Sequence, residues 1–257
     1  MRENRIKTIW KKGGVVLAGG VNLDSPYLAE LIAQHGFDAI IVDMQHAPLD
    51  YKGMLANLQA ISTTPAIPIV RVPWNHPPLV MQVLDAGAYG VICPMVNSRA
   101  ECEAFIASCY YAPKGYRSWG PIRGTLYGGP DYFEQANDTI LPMIQIETKE
   151  AVGRIDEILS VPGLGGIYFG PGDMSITLGL HPQKSFENPK LLGAVETAMK
   201  ACRRHGVLAG IMTPNADSAK KVIGWGAQLV TPGSDIGFVR AGAAKALADF
   251  RVFAPVT

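Results

Sequence analysis

Apolar residues gather in eight short runs, at 15–21, 39–44, 67–72, 90–95, 141–146, 166–171, 208–213 and 228–234. None of the runs alternates apolar with polar positions, which is the pattern of strands covered on both faces in a parallel sheet. The stretches between them carry helical patterning. The stretch 25–35 opens on Ser25-Pro26, suited to an N-cap and first helical position, and stops at Gly36. Further helices are predicted over 51–61, 79–86, 100–110, 148–159, 189–205, 216–224 and 236–250. Residues 1–12 read as an amphipathic helix with Ile6, Ile9 and Trp10 on one face.

The runs begin at residues 15, 39, 67, 90, 141, 166, 208 and 228, so five of the seven intervals are shorter than 30 residues. That is the length of one strand–helix unit. Eight such units in 257 residues predict a (β/α)8 TIM barrel spanning 1–257 as a single domain, rather than an open doubly wound sheet. The two long intervals are insertions. The larger, about 111–139, is rich in Gly, Pro, Tyr and Arg and is expected to be a long loop acting as a lid or a subunit contact.

Composition narrows the class of protein. With 23 basic and 22 acidic side chains the net charge is +1, so no global field recruits nucleic acid or an anionic membrane, and neither is expected as a partner. The four cysteines, at 93, 102, 109 and 202, lack the spacing of a disulfide framework or metal motif; reduced, buried thiols and a cytoplasmic location are expected. No signal peptide or membrane span is legible.

In such a barrel the chemistry sits where strands end. The run 166–171 leads into a glycine-rich turn that delivers Asp173, and Glu147 closes the run before it. Two carboxylates from adjacent strands could hold one divalent cation, with Mg2+, Mn2+ and Co2+ as candidates; alternatively each acid caps a helix or pairs with a basic neighbour. The glycine-rich turn with Gly170, Gly172 and the Asp173 N–H is also a candidate anion cradle, or no more than a tight connection. His46 is the one histidine that follows a strand end, and is either a general acid–base or a backbone-bonded loop residue. Arg71 ends the third strand, either to hold a carbonyl or enolate oxygen or to pair with Asp43 or Glu147. Asp85, in the last turn of a helix, opposes the helix dipole and calls for a cationic partner; a histidine is one answer and plain exposure another. No predicted strand contains a lysine, which argues against Schiff-base chemistry and, for a carbon–carbon lyase, in favour of a metal.

The strings IVDMQHAPLD, PIVRV, VLDAGAYGVICPMV, MIQIET and GIYFGPGDMSITLG, in this order, resemble the HpcH/HpaI family of class II pyruvate aldolases along essentially the whole chain. The runs at 43–46 and 116–120 are most similar to its hydroxyketoacid aldolase branch. The resemblance implies that Glu147 and Asp173 ligate the metal, with Gln145 in the same site. It further implies that Arg71 contacts the keto or enolate oxygen, that the N–H groups of Gly172 and Asp173 hold the pyruvate carboxylate, and that His46 and Asp85 form a dyad assisting proton transfer. The implied reaction is reversible cleavage of 4-hydroxy-2-oxo acids to pyruvate and an aldehyde. Oxaloacetate decarboxylation through the same enolate is the alternative, and a non-catalytic keto-acid-binding barrel is a more distant one. A homo-oligomer, usually a hexamer with exchanged C-terminal helices, is likewise implied. One departure stands out: Gly20 follows Ala18-Gly19 where many members carry tryptophan, and its missing ring is expected to open the barrel mouth.

Overall fold

A computed structural model describes residues 1–182 and 186–253. Its strands are β1 (Val16–Val21), β2 (Ala39–Asp43), β3 (Ile67–Arg71), β4 (Gly90–Cys93), β5 (Leu141–Ile146), β6 (Gly166–Phe169), β7 (Leu208–Met212) and β8 (Leu229–Thr231). All pair in parallel, and β8 returns to β1, so the sheet is a closed eight-stranded barrel as predicted. The helices are α1 (Arg5–Lys11), α2 (Pro26–Gln34), α3 (Tyr51–Ile61), α4 (Pro77–Asp85), α5 (Arg99–Cys109), α6 (Ile122–Gly128), α7 (Tyr132–Thr139), α8 (Lys149–Gly153), α9 (Ile155–Leu159), α10 (Pro171–Thr177), α11 (Pro189–His205), α12 (Ala216–Trp225) and α13 (Asp235–Arg251).

Two apolar clusters explain why the strands show no polarity alternation. Ala39 and Ile41 of β2 join Ile67 and Ile69 of β3 in the barrel interior, while Ile40, Val42 and Val70 pack outward beneath the helices. Both faces are buried, so both are apolar. The last strand is shorter than predicted because Pro232 has no N–H to extend the ladder. Helix α1 closes the N-terminal end of the barrel with Ile6 fully buried and Ile9 and Trp10 packed against the interior cluster.

The insertion differs from the open loop expected of it. It contains α6 and α7, and because it follows α5 it lies at the N-terminal end of the barrel, away from the mouth. Asn4 ties this end together, donating from Nδ2 to the carbonyls of Tyr89 and Thr139 at 3.2 and 2.9 Å. Arg123 donates to Ala86 O at the C-cap of α4 and, at 3.2 Å, to Leu58 O near the end of α3. One guanidinium therefore serves the negative ends of two helices.

Asp85 ends α4 at this same face. Its partner is Arg117, whose Nη2 donates to Oδ1 at 2.8 Å. The Arg117 side chain has no solvent exposure and lies 4.5 and 5.6 Å from the ring centres of Tyr111 and Tyr132. No described helix is long and apolar enough to cross a membrane. All four cysteines are buried and unbridged, and burial pushes the thiols of Cys102 and Cys202 up to about 12.

Arg117 is buried while Asp85 keeps partial exposure, so removing Asp85 leaves a buried guanidinium without its ionic partner. Asp85→Ala should destabilise the fold by about 3 kcal/mol in urea unfolding. The double substitution Asp85→Ala/Arg117→Met should recover most of that loss, because no charge is then left buried without a partner.

Candidate active site

The C-terminal ends of the strands surround a cavity of about 250 Å³. Its floor is built from β2, β4, β6 and β8, which contribute Ile41, Ile92, Tyr168 and Thr231; the intervening strands add Gly20, Arg71, Gln145 and Met212. Alternate strands thus supply alternate layers, as expected for a closed barrel of this size. Tyr168 Oη donates to Thr231 Oγ1 at 2.9 Å and ties two neighbouring members of the floor.

Arg71 and Asp43 sit on paired positions of β3 and β2. The guanidinium donates from Nε to Oδ1 at 2.8 Å and from Nη2 to Oδ2 at 2.6 Å, a bidentate fork that aims the arginine and leaves Nη1 for a ligand. Burial alone would raise the Asp43 carboxyl, but the Arg71 fork and charge and the N–H groups of Gln45 and His46 outweigh it and hold it below the usual range. Asn22 Nδ2 donates to the same carboxylate at 3.2 Å. His46 lines the cavity at its exposed rim, directly after this cluster.

Glu147 is completely buried. Its Oε1 accepts the Met95 N–H at 2.7 Å, and its Oε2 accepts from Gln145 Nε2. Met95 adopts φ +55°, a left-handed conformation rare outside glycine, which presents that N–H. Burial raises the Glu147 carboxyl above its ordinary value, and the neighbouring charge of Asp173 raises it further. Two like charges are therefore held near each other, with little protein countercharge beyond Arg71. Gln145 Oε1 is buried and has no hydrogen-bond partner.

Two carboxylates and an orphaned amide oxygen form an all-oxygen donor set that fits a hard divalent cation. Among the described residues no cluster of three or more His, Cys, Asp or Glu side chains accompanies it, so any further ligands would be substrate or water. Asp173 lies in the first turn of α10, lines the cavity with Gly172, and leaves first-turn N–H groups without intrahelical acceptors.

Six of the seven residues singled out from the sequence thus meet at the mouth: His46, Arg71, Gln145, Gly172 and Asp173 line the cavity, and Glu147 is hydrogen-bonded to Gln145 behind that lining. Asp85 does not join them within one chain; it lies at the opposite end, paired with Arg117. Three contributors have roles that sequence reasoning did not assign, Gly170 having been placed only in the anion cradle. Asp43 entered only as an alternative partner for Arg71. Gly170 is needed because a Cβ there would stand 2.5 Å from Glu147 Oε2 and 2.9 Å from Gln145 Nε2. Asp235, fully buried, accepts the N–H groups of Asn22 and Leu23 and fixes the loop after β1. Gly20 also departs from expectation: a Cβ there would meet Ser234 Cβ at 2.8 Å, so the chain after β8 takes part of the room a ring would need.

The sequence profile of the HpcH/HpaI aldolase/citrate lyase family matches residues 21–241. The chain belongs to the HpcH/HpaI family. A hydroxypyruvate/pyruvate aldolase of Rhizorhabdus wittichii is 38% identical over 248 residues, covering 96% of this chain and 99% of that one. A 4-hydroxy-2-oxo-heptane-1,7-dioate aldolase of Salmonella paratyphi C is 36% identical over 255 residues, covering 97% and 95%. An HpcH/HpaI aldolase/citrate lyase family protein from Burkholderia cenocepacia superposes with a TM-score of 0.90 at 26% identity, covering 96% of this chain and 99% of that one. The HpcH/HpaI aldolase fold and an aldehyde-lyase activity are thereby assigned to this chain.

Two glycines flanking Pro171 should respond differently to a methyl group. Gly170→Ala should lower kcat on the order of 100-fold by displacing Glu147, whereas Gly172→Ala, where a Cβ meets nothing within 4 Å, should stay near wild type in steady-state assays. The Asp43 carboxyl, lowered from 3.8 in the folded chain, contributes fully above that value and is lost only as pH falls through its depressed pKa. Profiles of kcat/KM between pH 5 and 9 should accordingly carry no Asp43 titration, and Asp43→Asn should lower them on the order of 100-fold throughout by loosening Arg71.

Proposed function

We propose that this aldolase reversibly cleaves 4-hydroxy-2-oxo acids to pyruvate and an aldehyde through a pyruvate enolate. The observation that carries the reading is the pairing of Glu147 and Asp173, with the orphaned Gln145 Oε1, beside the ligand-facing edge of Arg71. Glu147 and Asp173 would hold the divalent cation, Mg2+, Mn2+ or Co2+, which supplies Lewis-acid polarisation of the 2-oxo group.

The chain's own residues do the rest. The N–H groups of Gly172 and Asp173 bind the substrate carboxylate, and Arg71 stabilises the 2-oxo oxygen as it gains negative charge. Removal of the 4-hydroxyl proton on the His46 side starts the cleavage. The C3–C4 bond then breaks, its electron pair passes into the enolate, and the fourth carbon leaves as the aldehyde carbonyl. Protonation at C3 yields pyruvate. Because Asp85 and His46 occupy opposite ends of one barrel, their dyad requires two chains, with Asp85 of one protomer meeting His46 of another.

Exposed apolar side chains support such an assembly. In α13 only Asp235 is buried, whereas Val239, Leu247 and Phe250 are 54, 57 and 72% exposed, and Trp119 in the insertion is 57% exposed. Surface of this kind is expected to be covered in a homo-oligomer, a hexamer by family resemblance. Oxaloacetate decarboxylation is not favoured, since the relatives at 36–38% identity are aldolases.

Exchange of pyruvate methyl protons with deuterated water tests the enolate directly. Exchange should appear with added divalent metal, vanish on chelation, and fall at least 100-fold in Glu147→Gln and Asp173→Asn. Asp173→Asn should also weaken pyruvate binding. Full exchange after chelation, or none with any metal, contradicts the proposal.

A further inference from the structure

Beside the catalytic cavity lies a second cleft, of about 290 Å³. It is walled by Pro182, Pro214, Pro232, Phe186, Leu191 and Thr213, and it shares Pro171 and Met212 with the catalytic cavity. We propose that this cleft receives the apolar tail of the aldehyde, making the enzyme selective for unbranched, uncharged aldehydes. The inference rests on the aldolase reading above and names the acceptor class for that site.

The two compartments differ sharply in chemistry. Asp43, His46, Arg71 and Asp173 line the first, whereas among the described residues no charged side chain lines the second. Proline walls lack N–H donors, and their rings have almost no rotamer entropy to lose when a ligand packs on them. A ligand with one polar end and one apolar end therefore fits the pair in a single orientation. Its reacting carbonyl stays by the carboxylates and its tail lies among the prolines.

Met212 forms the divider. It ends β7 and is 41% exposed, an unusual position for a large apolar side chain at a barrel mouth. An unbranched thioether between two cavities can change rotamer and adapt to a chain passing beside it. Each compartment alone falls below the roughly 300–1,000 Å³ usual for small-molecule sites, and the two joined fall within it.

In the synthetic direction, C3 of the enolate bonds to the aldehyde carbon, the carbonyl π pair moves to oxygen, and that oxygen takes a proton. The tail takes no part in these events, so differences between aldehydes of equal reactivity report its binding. The test is pyruvate addition to acetaldehyde, butanal, hexanal and 6-oxohexanoate, with pyruvate methyl exchange measured in parallel. The expected result is a rise in kcat/KM on the order of fourfold per methylene to hexanal, and loss of that gain with the ω-carboxylate. Phe186→Glu should flatten the series while acetaldehyde addition and methyl exchange stay at wild-type level. Pro214→Glu, at an exposed position, should do the same and carries the test if the first variant misfolds. A flat series in the wild type, or variants that depress acetaldehyde and hexanal equally, would overturn the acceptor cleft while leaving the enolate reading intact. Absence of methyl exchange in the wild type would instead remove the reading on which it stands.

Discussion

The rest of the site depends on one carboxylate withdrawn from water. Glu147 has no exposed surface, and Asp173 stands near enough to raise its proton affinity. An ionised group in that position is costly unless polar partners surround it. Each neighbour is shaped accordingly: Met95 adopts a left-handed backbone to donate one N–H, Gln145 turns its amide nitrogen toward Oε2, and Gly170 gives up a side chain to leave space. These contacts occupy Gln145 Nε2 and leave its buried oxygen without a hydrogen-bond partner. Two neighbouring acids and an unpartnered amide oxygen make a donor set that suits a hard cation.

The two ends of the barrel divide the work. At the C-terminal end, backbone turns and charged side chains face a cavity, and paired charges such as Asp43 and Arg71 are set to orient a ligand. At the N-terminal end, the same residue types close the structure: Arg117 is enclosed by tyrosines and Asp85, and Arg123 reaches two helix ends. Arginine borders an open cavity at one end and is a fastener at the other. The difference lies in whether open space or protein surrounds the guanidinium.

That difference also marks how far the sequence could be read. The barrel was legible because strands buried on both faces leave uninterrupted apolar runs at regular intervals. Glu147, Asp173, Arg71 and His46 were legible because strand ends converge in this fold whatever the details of packing. The need of Asp85 for a partner was legible from its place in the last turn of a helix. The partner's identity was not, because Arg117 is brought to it only by the path of the insertion. The insertion's own helices were hidden by Gly and Pro content typical of loops. The crowding of Glu147 against Gly170 and the backbone capture by Asp235 were hidden for a similar reason, since both arise between segments distant in sequence.

Gly20 and Ser234 carry a consequence for how this lineage can change. The Gly20 N–H donates to Gly233 O at 3.0 Å, and the backbone after β8 lies against the glycine where a side chain would begin. A large side chain could not enter here without movement of the neighbouring backbone, because its first carbon would already collide with Ser234. The segment around Ser234 would have to withdraw first, and it leads directly into Asp235 and α13. Positions 20 and 234 are thus tied together as evolutionary variables. A change made at one records, and restricts, what the other has become.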